Sequence, residues 1–209
     1  MDGERDIDMN ARAFATPSVL FRDYSKRLHA TLRDFDWAPV ERLGYELLDC
    51  WQTGRQVFLA GNGGSGANAD HLSNDLLYAF SKVPGSGLRV RSLSANPSVL
   101  TCLANDEGYD KVFSLQLAVL ARPRDVLIVL SGSGNSANIV AALEAARGIG
   151  MISYAVLGLS GGQAKDIADV PIHFAVDDMQ ISEDAQMIVG HMLMQWLRSQ
   201  RGSIGAVKG

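Results

Sequence analysis

Cysteine is nearly absent from this chain: 209 residues contain two, Cys50 and Cys102, with no CxxC spacing and no histidine close by in sequence. That excludes a disulfide framework, and the expected state of both thiols is buried and reduced, as in a cytoplasmic chain. Long apolar runs are missing as well. None reaches the roughly 18 residues of a membrane span, and the stretch Met1–Ala15 is charged and polar, without the apolar core of a secretory leader. There is no basic excess: 19 Lys and Arg face 23 Asp and Glu, and the cations are scattered, so no nucleic-acid footprint is drawn. What remains is an ordinary soluble globular composition, 47% hydrophobic and 20% charged, sufficient for the core of one domain.

Three regions divide the chain. Residues 1–16 carry charge with little apolar periodicity and read as a flexible segment, and 201–209 read as a frayed tail. Between them, residues 17–200 read as a single domain. From Pro17 or Ser18 onward Leu20, Phe21, Tyr24, Leu28 and Leu32 recur at helical spacing. After Asp34–Pro39 a second helical pattern runs through Val40, Leu43, Leu47, Leu48 and Trp51. The expectation is an antiparallel helical pair with apolar surface left over for another subunit.

Beyond Gln56 the pattern becomes strand, loop, helix, repeated. The expected strands are Gln56–Gly61, Leu88–Leu93, Asp125–Leu130, Ile152–Leu157 and Val170–Phe174. The expected helices are Asn68–Ser81, Pro97–Ala104, Tyr109–Leu120, Ser136–Gly148, Gln163–Ala168 and Ser182–Gln200. Near-continuous apolar strands alternating with helices predict an α/β fold, a doubly wound parallel sheet covered on both faces.

Two of the strands empty into loops of glycine, serine and asparagine that open a helix. One loop runs Gly61, Asn62, Gly63, Gly64, Ser65; the other runs Ser131, Gly132, Ser133, Gly134, Asn135, Ser136. Such a loop turns backbone N–H groups and the positive end of a helix dipole toward one point, and hydroxyls add donors. Helix capping accounts for one serine. It does not account for three interleaved with glycine, so a phosphorylated small molecule is the expected ligand.

Four further residues could carry chemistry. His71 and Asp75 are an i,i+4 pair on the helix after the first loop. Glu183 and His191 lie eight apart on the last helix, with Ser182 as its expected N-cap and Glu183 in its first turn. Singly, each has an ordinary structural explanation. Together, two histidines and two carboxylates can act as acid/base pairs or gather a divalent metal.

At these motifs the chain resembles the sugar isomerase (SIS) domain family, and within it the phosphoheptose isomerases. The resemblance covers Pro17 to Gln200 and rests on Gly61–Ser65 with His71, on Ala104-Asn105-Asp106, and on Ser131–Asn138. It implies an aldose–ketose isomerase converting sedoheptulose 7-phosphate to a heptose 7-phosphate through an enediol. It implies that Asn62, Gly63, Gly64, Ser65, Asp106, Ser131, Gly132, Ser133 and Ser136 bind the substrate, that Asp75 and His191 are catalytic, and that His71, Asp75, Glu183 and His191 can hold zinc. It also implies a homotetramer with sites near subunit boundaries. The family usually has Glu where this chain has Asp75 and Gln where it has Glu183, so one carboxylate is a methylene shorter and a second is added. Some relatives of this fold lack catalysis, which makes a phosphosugar-binding or protein-interaction module the alternative.

Overall fold

A computed structural model of the chain describes residues 16–201. The expected flexible ends lie outside the described residues, apart from Thr16 and Arg201.

Five strands form one sheet of all-parallel pairs in the order β2-β1-β3-β4-β5: β1 Gln56–Gly61, β2 Arg89–Ser92, β3 Val126–Ser131, β4 Ile152–Leu157 and β5 Val170–His173. Side chains alternate across a strand, and the core divides accordingly. Val57, Leu59, Val126, Ile128, Leu130 and Val156 pack on one face, while Phe58, Ala60, Leu127, Val129, Ala155 and Leu157 pack on the other. Helices cover both, which is why these strands read as unbroken apolar runs.

On the first face lie α2 (Ala38–Thr53), α3 (Gly63–Asn74) and α8 (Met179–Ser199). On the second lie α5 (Ser114–Leu120), α6 (Ala137–Ile149) and α7 (Gly162–Ile167). The helix α4 (Pro97–Asp106) follows β2 and starts with Asn96, whose side chain accepts from the Val99 N–H. The chain leaves β1 for β2 on one side and returns to β3 on the other. That reversal opens a crevice beyond the carboxyl ends of β1 and β3, where ligands of doubly wound sheets bind. Both Gly/Ser loops lie there.

The N-terminal pair is α1 (Pro17–Arg33) followed by α2. No residue of α1 is buried, and Val19, Leu20 and Phe21 stand exposed. Leu32, near its end, packs partly buried against the first-face core, and toward α8 its hold is polar: Tyr24 donates to Asp184 at 2.5 Å and Arg27 to Asp178 at 2.5 Å.

Several expectations are corrected. The helix expected from Asn68 starts at Gly63, because its first turn is glycine and alanine and shows no apolar period. It also ends differently: from Asp75 to Ala79 the chain widens into a π-turn, with the Phe80 N–H bonded to the Asp75 carbonyl at 3.1 Å. The segment Tyr109–Leu120 splits into a 3₁₀ turn, Tyr109–Lys111, and α5, since Val112 and Phe113 both turn into the core. Ser182 is not the N-cap of α8. Asp178 is, its carboxylate accepting from Gln180 at 2.9 Å and Ile181 at 3.1 Å, while the Ser182 hydroxyl bonds back to the Asp178 carbonyl. Glu183 therefore lies beyond the first turn. Finally, Cys50 is buried but Cys102 is exposed on α4. Among the described residues no helix is long and apolar enough to cross a membrane.

Candidate active site

Helices α3 and α8 run side by side in the same direction, and buried polar groups set their register. The Gln186 amide donates to the Ser65 hydroxyl at 3.0 Å and accepts from Asn68 at 3.0 Å, while Asn68 also donates to the Glu183 carbonyl at 3.0 Å. Further along, the Leu72 side chain lies so close over Gly190 that a Cβ there would collide with it. A buried amide satisfied on both sides is costly to shift, so this seam pins the helices one turn before the reactive groups.

Beyond it the side chains of His71 and His191 meet. Their Nε2 atoms are 3.2 Å apart, and one oxygen of Asp75 lies 3.4 Å from His71 Nε2 and 3.8 Å from His191 Nε2. Asp75 is 7% exposed, at the base of the group, and both imidazoles are about half exposed above it. Tetrahedral donors about 2.0–2.2 Å from a divalent ion stand about 3.3 Å from one another. The three observed separations fit such an ion, as does a set of two imidazoles and one carboxylate. The π-turn begins at Asp75 itself, a distortion that recurs at functional sites.

The two loops at the crevice are joined to each other. Asn62 and Asn138 exchange side-chain hydrogen bonds of 2.8 Å in both directions, and the Tyr109 hydroxyl donates to Asn62 at 2.9 Å. In the second loop the Ser131 hydroxyl accepts from the Gly134 N–H at 3.0 Å, and the Ser133 hydroxyl from the Asn135 N–H at 3.3 Å. Gly134 has φ +67° and lies directly against the Gly161 carbonyl, so only glycine fits. Ser136 stands at the N-cap of α6 without a capping bond, which leaves its hydroxyl for another partner.

The first turns of α8 reach into this crevice. Met179 lies over Gly132, Ser182 over Gly158 and Glu183 over Gly64, each where a Cβ would collide with the incoming side chain. From outside, α1 braces the same turns. The Arg27 guanidinium, and after it the Ile181 N–H, hold the Asp178 carboxyl below the usual carboxylate range. Desolvation, with the Asp184 hydrogen bond next, pushes the Tyr24 phenol up to about 12.

The fold thus brings together Asn62, Gly63, Gly64 and Ser65 with Ser131, Gly132, Ser133 and Ser136, and separately gathers His71, Asp75 and His191. Glu183 is not part of that cluster; its carboxylate is at the first loop. Asp106, the last residue of α4, is exposed and accepts from Asn105 at 2.7 Å, with the Cys102 sulfur 3.5 Å away. Its neighbour Tyr109 is the residue that reaches the loops. Tyr109, Asn138, Asn68 and Gln186 are not among the site residues expected from the sequence, although Asn138 ends the Ser131–Asn138 stretch that carries the resemblance. Only Asn138 carried a signal, its place directly after the second Gly/Ser loop; the others make contacts between residues distant in sequence.

The SIS domain family matches residues 20–158, the helical pair, both loops and the sheet through β4. The chain belongs to the SIS domain family. Among relatives of this SIS domain, the phosphoheptose isomerase of Trichlorobacter lovleyi is 34% identical over 172 residues, 82% of this chain and 86% of that one. The phosphoheptose isomerase of Desulfovibrio desulfuricans is 37% identical over 187 residues, covering 90% and 88%. The solved structure of a phosphoheptose isomerase from Neisseria gonorrhoeae superposes with a TM-score of 0.79 at 27% identity, over 87% of this chain and 96% of that one.

Proposed function

We propose that this SIS domain is an aldose–ketose isomerase acting on a phosphorylated sugar, with sedoheptulose 7-phosphate as substrate and a heptose 7-phosphate as product. The observation that carries this reading is the convergence of His71, Asp75 and His191 beside a crevice lined by two Gly/Ser loops. The relatives named phosphoheptose isomerase point to the same chemistry and to the seven-carbon substrate.

In this reading the phosphate rests on Ser131, Gly132, Ser133 and Ser136 at the start of α6, with Ser65 at its edge. Loop N–H groups and the helix dipole favour the dianion there. Asn62, Gly63, Gly64 and Asp106 face the sugar. Isomerisation moves one proton between adjacent carbons and others between the oxygens, through an enediol. His191 serves the oxygens. Asp75 has one of two mutually exclusive roles, base on carbon or metal ligand. When bound by His71, Asp75 and His191, a divalent ion such as zinc supplies Lewis-acid stabilisation of the charge that develops on oxygen. We further propose a cytoplasmic homotetramer, for which the exposed apolar residues of α1 are the support. A binding module without turnover would have no use for the imidazole–carboxylate cluster.

The test is conversion of sedoheptulose 7-phosphate by the purified protein, followed by NMR with added zinc and with chelator. Appearance of the aldose is the expected result. No conversion of this sugar or of shorter phosphosugars under either condition would overturn the reading.

A further inference from the structure

Building on the isomerase reading, we infer that Tyr24 and Arg27 of α1 are positioning residues for the substrate, because their bonds to Asp184 and Asp178 hold the first turns of α8 over both Gly/Ser loops. Burial does little to fix α1, since none of its residues is buried. Its register on α8 rests on the Tyr24 hydroxyl, 2.5 Å from Asp184, and the Arg27 guanidinium, 2.5 Å from Asp178. Asp178 divides its carboxylate between two partners. One oxygen takes Arg27, and the other takes the Gln180 and Ile181 N–H groups that begin α8. Within α1 the Asp23 carboxylate fixes Arg27 at 2.8 Å, and the guanidinium carbon lies 5.7 Å from the centre of the Tyr24 ring. The two donors form one clasp.

What the clasp holds faces the crevice. Met179 lies over Gly132, Ser182 over Gly158 and Glu183 over Gly64, so a single short stretch of α8 touches the loops that follow β3, β4 and β1. Among the described residues, the only side chains from outside the helix that bond to Asp178–Asp184 are Arg27 and Tyr24 from α1 and Asn68 from α3. Asn68 reaches only the Glu183 carbonyl there.

Two supports therefore share α8. From Gln186 onward the buried seam with Ser65 and Asn68 fixes the helix on α3 and with it the imidazole cluster. Before Gln186 the clasp from α1 sets how closely Met179, Ser182 and Glu183 approach the loops. A substrate held between those loops depends on that approach, because small displacements of a binding wall are felt at the bound molecule. Loss of the clasp loosens the wall and leaves His71, Asp75 and His191 where they are.

Three measurements on the full chain test this: turnover of sedoheptulose 7-phosphate, calorimetric binding of the same sugar phosphate, and calorimetry with zinc alone. Tyr24→Phe removes one hydroxyl and changes no charge. We expect it to raise KM and the sugar-phosphate Kd about fivefold, a fraction of what a hydrogen bond to a charged acceptor can contribute. Zinc binding should be unchanged and kcat should stay within about twofold, the pattern of lost binding without lost chemistry. In an Asp184→Ala background the same change should have no further effect, because the two residues act through one bond. Arg27→Gln is the second variant, for use whether or not Tyr24→Phe folds. It should raise KM similarly, and Arg27→Lys, which keeps the charge and a donor, should recover most of the loss. KM and Kd within about twofold of the parent in both Tyr24→Phe and Arg27→Gln would overturn the inference and leave the isomerase reading intact. Loss of zinc binding alongside the rise in KM would overturn it too, since a general loosening of α8 would then be the cause. A parent that neither binds nor converts a phosphosugar overturns both readings.

Discussion

The Nε2 atoms of His71 and His191 stand 3.2 Å apart, although 120 residues separate them in the chain. Two neutral imidazoles at that distance need opposite tautomers at these nitrogens, one donating and one accepting. Two lone pairs facing each other need a cation between them. The Asp75 oxygen beside both supplies charge for either arrangement.

Zinc is therefore expected to bind and to stabilise the fold. At a free concentration one hundred times its Kd, stabilisation of about 2.7 kcal/mol follows from mass action. Thermal melts of the parent should rise with zinc and fall back with chelator. His71→Ala and His191→Ala should lose the response while melting near the parent without metal, because both imidazoles are about half exposed. An unchanged response in either variant would count against the cluster as the binding site.

Asn62 ties the two loops through Asn138 and Tyr109. Tyr109→Phe removes one hydrogen bond at an exposed hydroxyl, worth about 1 kcal/mol, and should raise KM about fivefold with little change in melting. Asn62→Ala also leaves Asn138, which is buried, without its partner, and should cost about 1–3 kcal/mol of stability as well. Steady-state kinetics and denaturant melts on both variants separate the two effects.

Asp178 caps α8, and its carboxyl is held below the usual range by Arg27 and the Ile181 N–H. A lowered folded-state pKa gives stability that is present above the unfolded carboxylate value and is lost as pH falls through the folded one. Asp178→Ala should cost about 1 kcal/mol at pH 7. It should also flatten the loss of stability between neutral and acid pH relative to the parent. Denaturant melts across that range check the sign.

Phe21 is 71% exposed on α1, beside Val19 and Leu20, each 55% exposed. If copies of the chain cover this face, Phe21→Glu should shift light scattering from a tetramer to smaller species. A parent that scatters as a monomer removes the tetramer from the proposal.

Most of the fold was legible in the sequence because a parallel sheet buried on both faces leaves unmistakable apolar runs. Every expected strand agrees with the structure to within a residue or so at its ends. The loops were legible because glycine and serine between a strand and a helix have few other uses. The ends of α3 and α8 were not. Glycine and alanine conceal the start of α3, and Asp178 outcompetes Ser182 as a cap because its carboxylate satisfies two N–H groups. The π-turn at Asp75 leaves no periodic trace, since one extra residue in a turn resembles ordinary drift of a helical pattern.

The sequence by itself determined the sheet, the two Gly/Ser loops and the identities of two histidines and two acids, since each is written in local composition and spacing. Only the tertiary structure decided which of the four meet. His71, Asp75 and His191 come together because the buried Gln186 amide, bonded to Ser65 and Asn68, sets the register of two helices far apart in the chain. Glu183 is parted from them because Gly64 leaves it a place at the first loop. Local sequence records neither, because both follow from packing between segments more than 100 residues apart.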